Sequence, residues 1–495
     1  MVFVTPFLLG CFSVFSFQPF NFTIINFLVL PFFFYLIVYI NKRSKSIYRK
    51  KPYKKNLFIY GTSFGFGFYL SGLHWITHSL TFDESFKFLI PFGLIFIPLF
   101  LSLFFSLVTL ILGPILNFNF SSILLISGGL AFSDYLRAKI LTGFPWNLWA
   151  YSFSQNLEVI QILNEIGLFA FNIIVITLLM SPSILFFNIK LNKKILLIMA
   201  IPLIILIFYI NGNHSINSNK KKLKFEDTSF NVKVISPNFK LRYGLEVEEI
   251  KSRLEKLVRY SEPNPNLPTL FVWPEGVFSG FNYSEIYEFN KIFSDNFNKN
   301  HFVLFGINKL DEKGIFNSLV IVNNQMEILQ EYQKQKLVPF GEFLPLESLL
   351  RKFGLKKITE GHGSFLKGKK QKNLKVGEFN ILPLVCYEII FPELIQKADQ
   401  KTNLIVNISE DGWFGNSIGP YQHFAKGIFR AIENNTYLLR SANKGISAII
   451  NNKGQIIKKL DTNEAGSIEV EIPLIKNKNK NKNDLIFFVL LITYI

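Results

Sequence analysis

Ile381-Leu382-Pro383-Leu384-Val385-Cys386-Tyr387-Glu388 runs from apolar residues into a thiol, a phenol and a carboxylate. A short apolar run closed by a cysteine reads as a buried strand ending in a turn. Beyond Ile389 the chain turns polar around Pro392-Glu393, as a helix start would. A thiol between a buried strand and a helix start is a candidate nucleophile. Cys386 is one of only two cysteines, so no disulfide framework exists. The other, Cys11, follows Leu8-Leu9-Gly10 and superficially resembles a lipoprotein signal. The residues before it carry no Lys or Arg, so it is expected to be buried in the membrane and inert.

Outward from Cys386, short β-rich runs recur at Val232–Ile235, Leu270–Trp273, Phe302–Ile307, Leu319–Val322, Leu404–Ile408 and Ser447–Ile450. Helix-like stretches fall between some of them, at Glu246–Tyr260, Tyr283–Phe297 and Tyr421–Asn434. Alternating strands and helices predict a layered α/β domain over 225–475. A polar linker is expected over 212–224, and the KNKNKNK tract opens a second linker at 476.

The N-terminal part has a different pattern. Apolar segments at about 6–20, 22–40, 57–76, 88–113, 121–137, 159–181 and 194–211 predict about seven membrane helices in residues 1–211. Leu485–Ile495 is too short to span comfortably, and reads as a shortened eighth helix or a clipped end. The chain has 495 residues, 56 of them Phe, and 49% are apolar, which suits an integral membrane protein. Asn41 to Lys55 reads NKRSKSIYRKKPYKK and should be cytoplasmic by the positive-inside rule. Counting helices from there places the basic Asn188–Lys194 loop inside as well. Arg137 and Lys139 fall outside, against the rule. Residues beyond about 212 then face the periplasm or cell exterior.

The formal charge of +18 suits a phosphate-bearing partner, either nucleic acid or anionic lipid. A compositional bias towards Lys, Asn, Ile and Phe is the plainer source of most lysines. No RNP-like or helix-turn-helix pattern accompanies them, so nucleic acid is not expected. The six histidines are scattered without ligand spacing, so neither a metal nor another cofactor is expected.

Three segments carry ionisable residues near strand ends: Phe271-Val272-Trp273-Pro274-Glu275, Lys334 to Glu342 (KQKLVPFGE), and Leu384 to Glu388. Glu, Lys and Cys in that order resemble the nitrilase, or carbon–nitrogen hydrolase, superfamily. Joined to a polytopic N-terminal half, the chain resembles the apolipoprotein N-acyltransferase family over nearly its whole length. The pieces that carry this are Leu337–Pro345 (LVPFGEFLP), Asp411-Gly412-Trp413-Phe414-Gly415, Ser417–Pro420, Gln422-His423 and Gly143-Phe144-Pro145-Trp146-Asn147.

The resemblance implies a nitrilase-like αββα sandwich behind a polytopic α-helical membrane domain. It implies Glu275 as general base, Lys334 as transition-state stabiliser and Cys386 as nucleophile. Glu342 and Glu388 match supporting carboxylates, Tyr387 the neighbour of the nucleophile, and Trp413 a wall of the site. Lys336 competes with Lys334, and spacing to Gly341-Glu342 favours Lys334. Tyr243 stands near where the family often has Trp. Glu410 and Gly412 stand where the family commonly has Asn and Ala. His74, His78 and the Phe144–Trp149 loop, with Phe144 and Trp146 foremost, either admit lipid or anchor the interface.

The chemistry stands without the family name. A thiol is mostly protonated at neutral pH and needs a base or a cation beside it. Glu275 can take the proton, and Lys334 can hold both thiolate and oxyanion. The expected activity is a ping-pong acyl transfer in the bacterial inner membrane, with the catalytic domain periplasmic. A phospholipid donates an acyl chain to Cys386, and the α-amino group of a diacylated apolipoprotein accepts it. A monomer is expected. The second reading is a membrane-tethered amidase or nitrile-type hydrolase using the same three residues. The third is a scaffold or transporter, against which stands the scarcity of ionisable groups in the apolar segments.

Overall fold

The computed structural model describes residues 3–44, 53–219, 225–226, 231–242, 244–350, 352, 364–369, 372–399, 401–475 and 484–494. The KNKNKNK tract and Tyr243 lie outside the described residues. Chain contacts divide the protein into two units. The first holds Met1–Thr81, Ser85–Asn217 and Lys482–Ile495, and the second Phe82–Glu84 and Ser218–Asn481.

The first unit is helical. Its main helices are α1 (Val4–Ser13), α2 (Asn26–Ser44), α3 (Tyr53–Leu73), α4 (Ile90–Leu112) and α5 (Phe120–Lys139). The short α6 (Leu157–Ile160) and α7 (Leu163–Ile166) precede α8 (Leu168–Met180) and α9 (Leu191–Asn217). Among the described residues, four stretches are long and apolar enough to cross a membrane: Thr23–Arg43, Glu84–Ile115, Leu168–Phe186 and Leu191–Asn217. Three of the expected seven fall short of that measure: the first is the shorter apolar helix Val4–Ser16, and α3 and α5 carry small and polar residues among their apolar ones. A Cβ at Gly61 would lie 2.2 Å from the Thr109 Oγ1, and one at Gly65 would lie 2.8 Å from the Ser102 Cα. Small residues let α3 and α4 approach closely where no hydrophobic effect drives helices together.

Two expected helices differ in outline. The 159–181 segment breaks at Gly167, whose φ of 77° interrupts the helical backbone. The last long helix runs on to Asn217, through the start of the expected linker, with Gly212 directly against the Glu158 carbonyl. Arg137 is no loop charge. It is 2% exposed and pairs with Asp134 at 2.7 Å, and its guanidinium also donates to the Phe144 carbonyl. Lys139, at the end of the same helix, pairs with Asp484 at 3.7 Å.

The second unit is a pair of six-stranded sheets packed face to face, with a small antiparallel ribbon of β1 (Phe225–Glu226) and β14 (Leu474–Ile475). One has the order β13 (Gly466–Glu471), β2 (Asn231–Ser236), β3 (Thr269–Val272), β4 (His301–Asp311), β5 (Gly314–Val322), β6 (Ile328–Gln333). The other has β12 (Ile456–Leu460), β11 (Ser447–Ile450), β10 (Tyr437–Asn443), β9 (Leu404–Glu410), β8 (Phe379–Val385), β7 (Leu374–Val376). Each sheet has a parallel centre, β2–β3–β4 in one and β8–β9–β10 in the other. Val232, Val272, Leu304 and Leu319 meet Ile381, Val385, Val406 and Ile408 in the core between them. Helix Val247–Ser261 and helix Asn290–Asn296 cover the outer face of the first sheet, with Leu254, Leu257 and Phe293 packed on Phe271 and Trp273. Helix Gly419–Asn434, buried along its length, packs beside β10 of the second sheet. This is the layered α/β domain that alternating strands and helices predict, in the αββα form that the resemblance implies.

β6, β7, β10, β12 and β13 are absent from the expected strands. Several are short or carry charge, such as Ile456–Leu460 with its two lysines and Tyr437–Asn443 with Arg440. The expected helix at Tyr283–Phe297 is instead two short helices, Tyr283–Ile286 and Asn290–Asn296, joined by a 3₁₀ turn.

Candidate active site

In open parallel sheets, ligands sit beyond the carboxyl ends of the strands. The candidate residues gather there. Glu275 follows β3, Lys334 follows β6, Cys386 follows β8, and Glu410 ends β9. Trp273 fixes the approach to Glu275: its indole N–H donates to the Ser261 hydroxyl at 2.9 Å, within the layer under the sheet. Lys334 is held by its backbone, whose N–H donates to the Asn317 carbonyl at 2.9 Å and whose carbonyl accepts from Gly368 at 2.8 Å.

The Lys334 side chain is 1% exposed, and its Nζ lies 2.9 Å from Glu342 Oε1 and 3.4 Å from Glu275 Oε1. Asn317 donates its amide nitrogen to both of those oxygens at 2.8 Å. The far oxygens are occupied too. Glu275 Oε2 accepts from the Glu410 N–H at 3.2 Å, and Glu342 Oε2 from the Val338 N–H at 2.8 Å. A buried ammonium without partners costs several kcal/mol, so the two carboxylates are a condition of burial. Burial alone would lower the Lys334 pKa. Glu275, Glu342 and the Cys386 sulfur together outweigh it and raise it, so the lysine stays charged.

Cys386 is a free thiol, 8% exposed. Its φ of 51° places a non-glycine residue in the left-handed region, where the chain leaves β8 for the 3₁₀ turn Cys386–Ile390. Such a conformation costs about 1–3 kcal/mol and persists where the surroundings enforce it. Part of that enforcement is Glu388. Fully buried, it accepts from the Val385 N–H at 2.9 Å, the Gln335 N–H at 2.7 Å, the Lys336 N–H at 3.0 Å and the Tyr332 hydroxyl at 2.9 Å. One carboxylate thereby ties the Cys386 elbow to the strand leading into Lys334. Burial pushes the Cys386 thiol up, and Glu275 and Asp411 add to this against Lys334 and a Ser409 hydrogen bond. At rest the sulfur keeps its proton, and ionising it requires a base.

Behind the elbow lies a second polar group, in which Asp411 and His423 of the quoted motifs meet Arg440, a residue not singled out from the sequence. Asp411 accepts from Ser409 at 2.6 Å and from the Arg440 Nη2 at 2.7 Å. Arg440, fully buried, also donates to Asn407 and to the Ile446 carbonyl. His423 Nδ1 lies 3.0 Å from both Arg440 Nη2 and Asp411 Oδ1, and its Nε2 lies 3.3 Å from the Cys386 carbonyl. A neutral ring that donates from Nε2 to Cys386 and accepts from Arg440 at Nδ1 satisfies both nitrogens. Burial, then Arg440, push the His423 pKa down to about 4. The signal for this group was Arg440 itself, a charge inside the otherwise apolar run Tyr437–Ala442. Asn317 carried no comparable signal.

The structure therefore brings Glu275, Lys334, Glu342, Cys386 and Glu388 together. Tyr387 adjoins Cys386 and packs edge-on against Phe391 at 5.0 Å, and Trp413 lies in the 3₁₀ turn after β9. Lys336 is engaged elsewhere. It pairs with Glu393 and lies 4.7 Å over the Phe391 ring. Phe144 and Trp146 belong to the first unit, where Trp146, 1% exposed, packs on Trp75 at 4.9 Å and stacks with Phe144. His74 and His78 lie in that unit as well, in the 3₁₀ helix His74–Thr81.

Residues 261–477 match the carbon–nitrogen hydrolase family, and residues 9–180 match the apolipoprotein N-acyltransferase N-terminal domain. An apolipoprotein N-acyltransferase of Rhodopseudomonas palustris is 29% identical over 95% of this chain and 89% of its own length. That of Rickettsia prowazekii is 31% identical over 84% of this chain and 83% of its own. Among solved structures, an amidase from Nesterenkonia sp. AN1 aligns with 49% of this chain and 93% of its own, at 18% identity and a TM-score of 0.36.

His423 makes stability pH-dependent. Its folded pKa of about 4 lies below the unfolded value of 6.5, so its contribution is present above pH 6.5. It is lost as pH falls through about 4, by at most about 3 kcal/mol. Melting of the protein in detergent should show the difference between wild type and His423→Gln narrowing from pH 7 to pH 4, and parallel curves would remove His423 as the cause.

Proposed function

The chain belongs to the apolipoprotein N-acyltransferase family, and from that premise we propose that it acylates the N-terminal amine of diacylated apolipoproteins through a thioester on Cys386. The observation that carries this is the buried convergence of Glu275, Lys334, Glu342 and Cys386. The helical unit, with its four membrane-length stretches, supports lipid substrates: a phospholipid as donor and a lipid-bearing cysteine as acceptor.

Glu275 takes the Cys386 proton as the sulfur attacks an ester carbonyl of the phospholipid. The carbonyl oxygen becomes an oxyanion, and the Lys334 ammonium stabilises it where water is excluded. Collapse breaks the ester C–O bond. The departing lysophospholipid oxygen takes the proton back from Glu275, leaving the acyl group on sulfur. The acceptor amine then attacks the thioester, Glu275 takes a proton from nitrogen, and the thiolate leaves and is reprotonated. Glu342 neutralises the second half of the Lys334 charge and leaves Glu275 free to cycle. The raised Cys386 pKa fits this sequence, because a sulfur that ionises only as it attacks needs Glu275 in the same step.

We place the protein in the bacterial inner membrane, as a monomer, with the second unit on the periplasmic side. The basic loops Asn41–Lys55 and Asn188–Lys194 support that orientation. We assign Phe144 and Trp146, with Tyr243, to admitting lipid.

Mass spectrometry of the protein incubated with labelled phospholipid should find an acyl adduct on Cys386 and none in Cys386→Ala. Glu275→Gln should slow adduct formation by roughly 100- to 10,000-fold. An unmodified Cys386 in wild type contradicts transfer, and an adduct lost to water at the same rate with or without amine favours a hydrolase. For orientation, Asn217→Cys in a Cys11→Ala, Cys386→Ala background should react with an impermeant maleimide from outside spheroplasts, whereas protection until lysis would invert the topology.

A further inference from the structure

Glu410 and Gly412, on either side of Asp411 where β9 ends, form one unit. The Glu410 side chain is buried, 2% exposed, in a space that two glycines leave open. A Cβ on Gly412 would lie 2.7 Å from Glu410 Oε1, and one on Gly276 would lie 2.9 Å from Oε2. Gly276 also has a φ of 74°, so it needs glycine on two grounds. The Gly412 N–H donates to Oε1 at 2.9 Å, and Asn443 Nδ2 donates to Oε2 at 2.8 Å. Asn443 is itself fixed by Phe239, whose N–H donates to Oδ1 at 2.7 Å and whose carbonyl accepts from Nδ2 at 3.0 Å. The Glu410 backbone N–H is the donor to Glu275 Oε2.

We propose that Glu410 is a positioning residue for Glu275, locking the Glu275–Gly276 turn against the Asp411–Phe414 turn and against the end of β10. The proposal rests on Glu275 as the base. The Glu410 carboxyl occupies space that a methyl at 412 would restrict. The same geometry makes the lock sensitive to charge. The ionisable groups facing Glu410 are Glu275, Asp411, which is itself paired with Arg440 and adjoins His423, and Arg253 from helix Val247–Ser261. Burial, then the neighbouring carboxylates, outweigh the hydrogen bonds and push Glu410 up to about 8. Below that pH it is neutral. Above it, a second negative charge stands beside Glu275 and opposes thiolate formation at Cys386.

The test is the pH profile of Cys386 acylation in the full chain, with labelled phosphatidylethanolamine vesicles as donor. Wild type should lose rate through an inflection near pH 8, and Glu410→Gln, which cannot ionise, should lack that inflection. Glu410→Ala should acylate roughly 10- to 100-fold more slowly at saturating donor, with KM unchanged, because Glu275 is no longer held in place. A wild-type inflection in Glu410→Gln, or a wild-type rate in Glu410→Ala, would overturn the proposal. Alkylation of Cys386 by iodoacetamide, read on the Cys386 peptide, separates this from failure of the transfer reading. If no acyl adduct forms in wild type, transfer fails, while the same loss of inflection in alkylation still upholds Glu410 and its persistence still refutes it.

Discussion

The site depends on one buried ammonium. Lys334 is withdrawn from water between Glu275 and Glu342, and everything around it meets the terms of that burial. Two carboxylates would repel each other without the lysine, and the lysine would lose its charge without them. Asn317 completes the arrangement by donating to both acids, so no lone pair facing the ammonium is left to compete for it. The result is a positive charge that cannot leave, close to a sulfur that is reluctant to ionise. For the proposed acyl transfer, such a sulfur would stay protonated until a carbonyl arrived, and a developing oxyanion would meet a charge already desolvated.

The sandwich exists to hold these parts at fixed separations. Glu275 and Cys386 leave the parallel centres of different sheets, so their spacing is set by packing across the core of Val272, Leu304, Val385 and Ile408. Glu388 ties the Cys386 elbow to the Lys334 segment, while Asp411, Arg440 and His423 support the elbow from behind. The left-handed backbone at Cys386 is a strain that these contacts enforce. Loosening any of them changes the distance between base and thiol before it changes the fold.

Much of this was legible in the sequence because it lies in apolar strands with charged residues at their ends. Glu275 and Cys386 each follow a run whose burial could be read from composition, whereas Lys334 follows the mixed run Ile328–Gln333 and was singled out by its spacing to Gly341-Glu342 in the family it resembles. The supporting residues were less legible for two physical reasons. Asn317 lies inside Gly314–Val322, where an amide among apolar residues gives no pattern of its own. Arg440 and the lysines of β12 disguised their strands, since a charge argues against burial until its partner is known. In the first unit, hydropathy located the helices but not their breaks. Gly167 changes the backbone without changing hydropathy, and the last long helix runs on past Gly212, which lies against a residue far along the chain.

The central claim is that Lys334 and its carboxylates are one coupled unit. A double-mutant cycle with Lys334→Met and Glu342→Gln, read as unfolding free energy of the full chain in detergent, tests it most directly. Coupling predicts that the double variant is more stable than the sum of the single losses allows, by about 1–3 kcal/mol, because Lys334→Met alone leaves two buried carboxylates facing each other and Glu342→Gln then neutralises one of them. Additivity to within about 0.5 kcal/mol would contradict it.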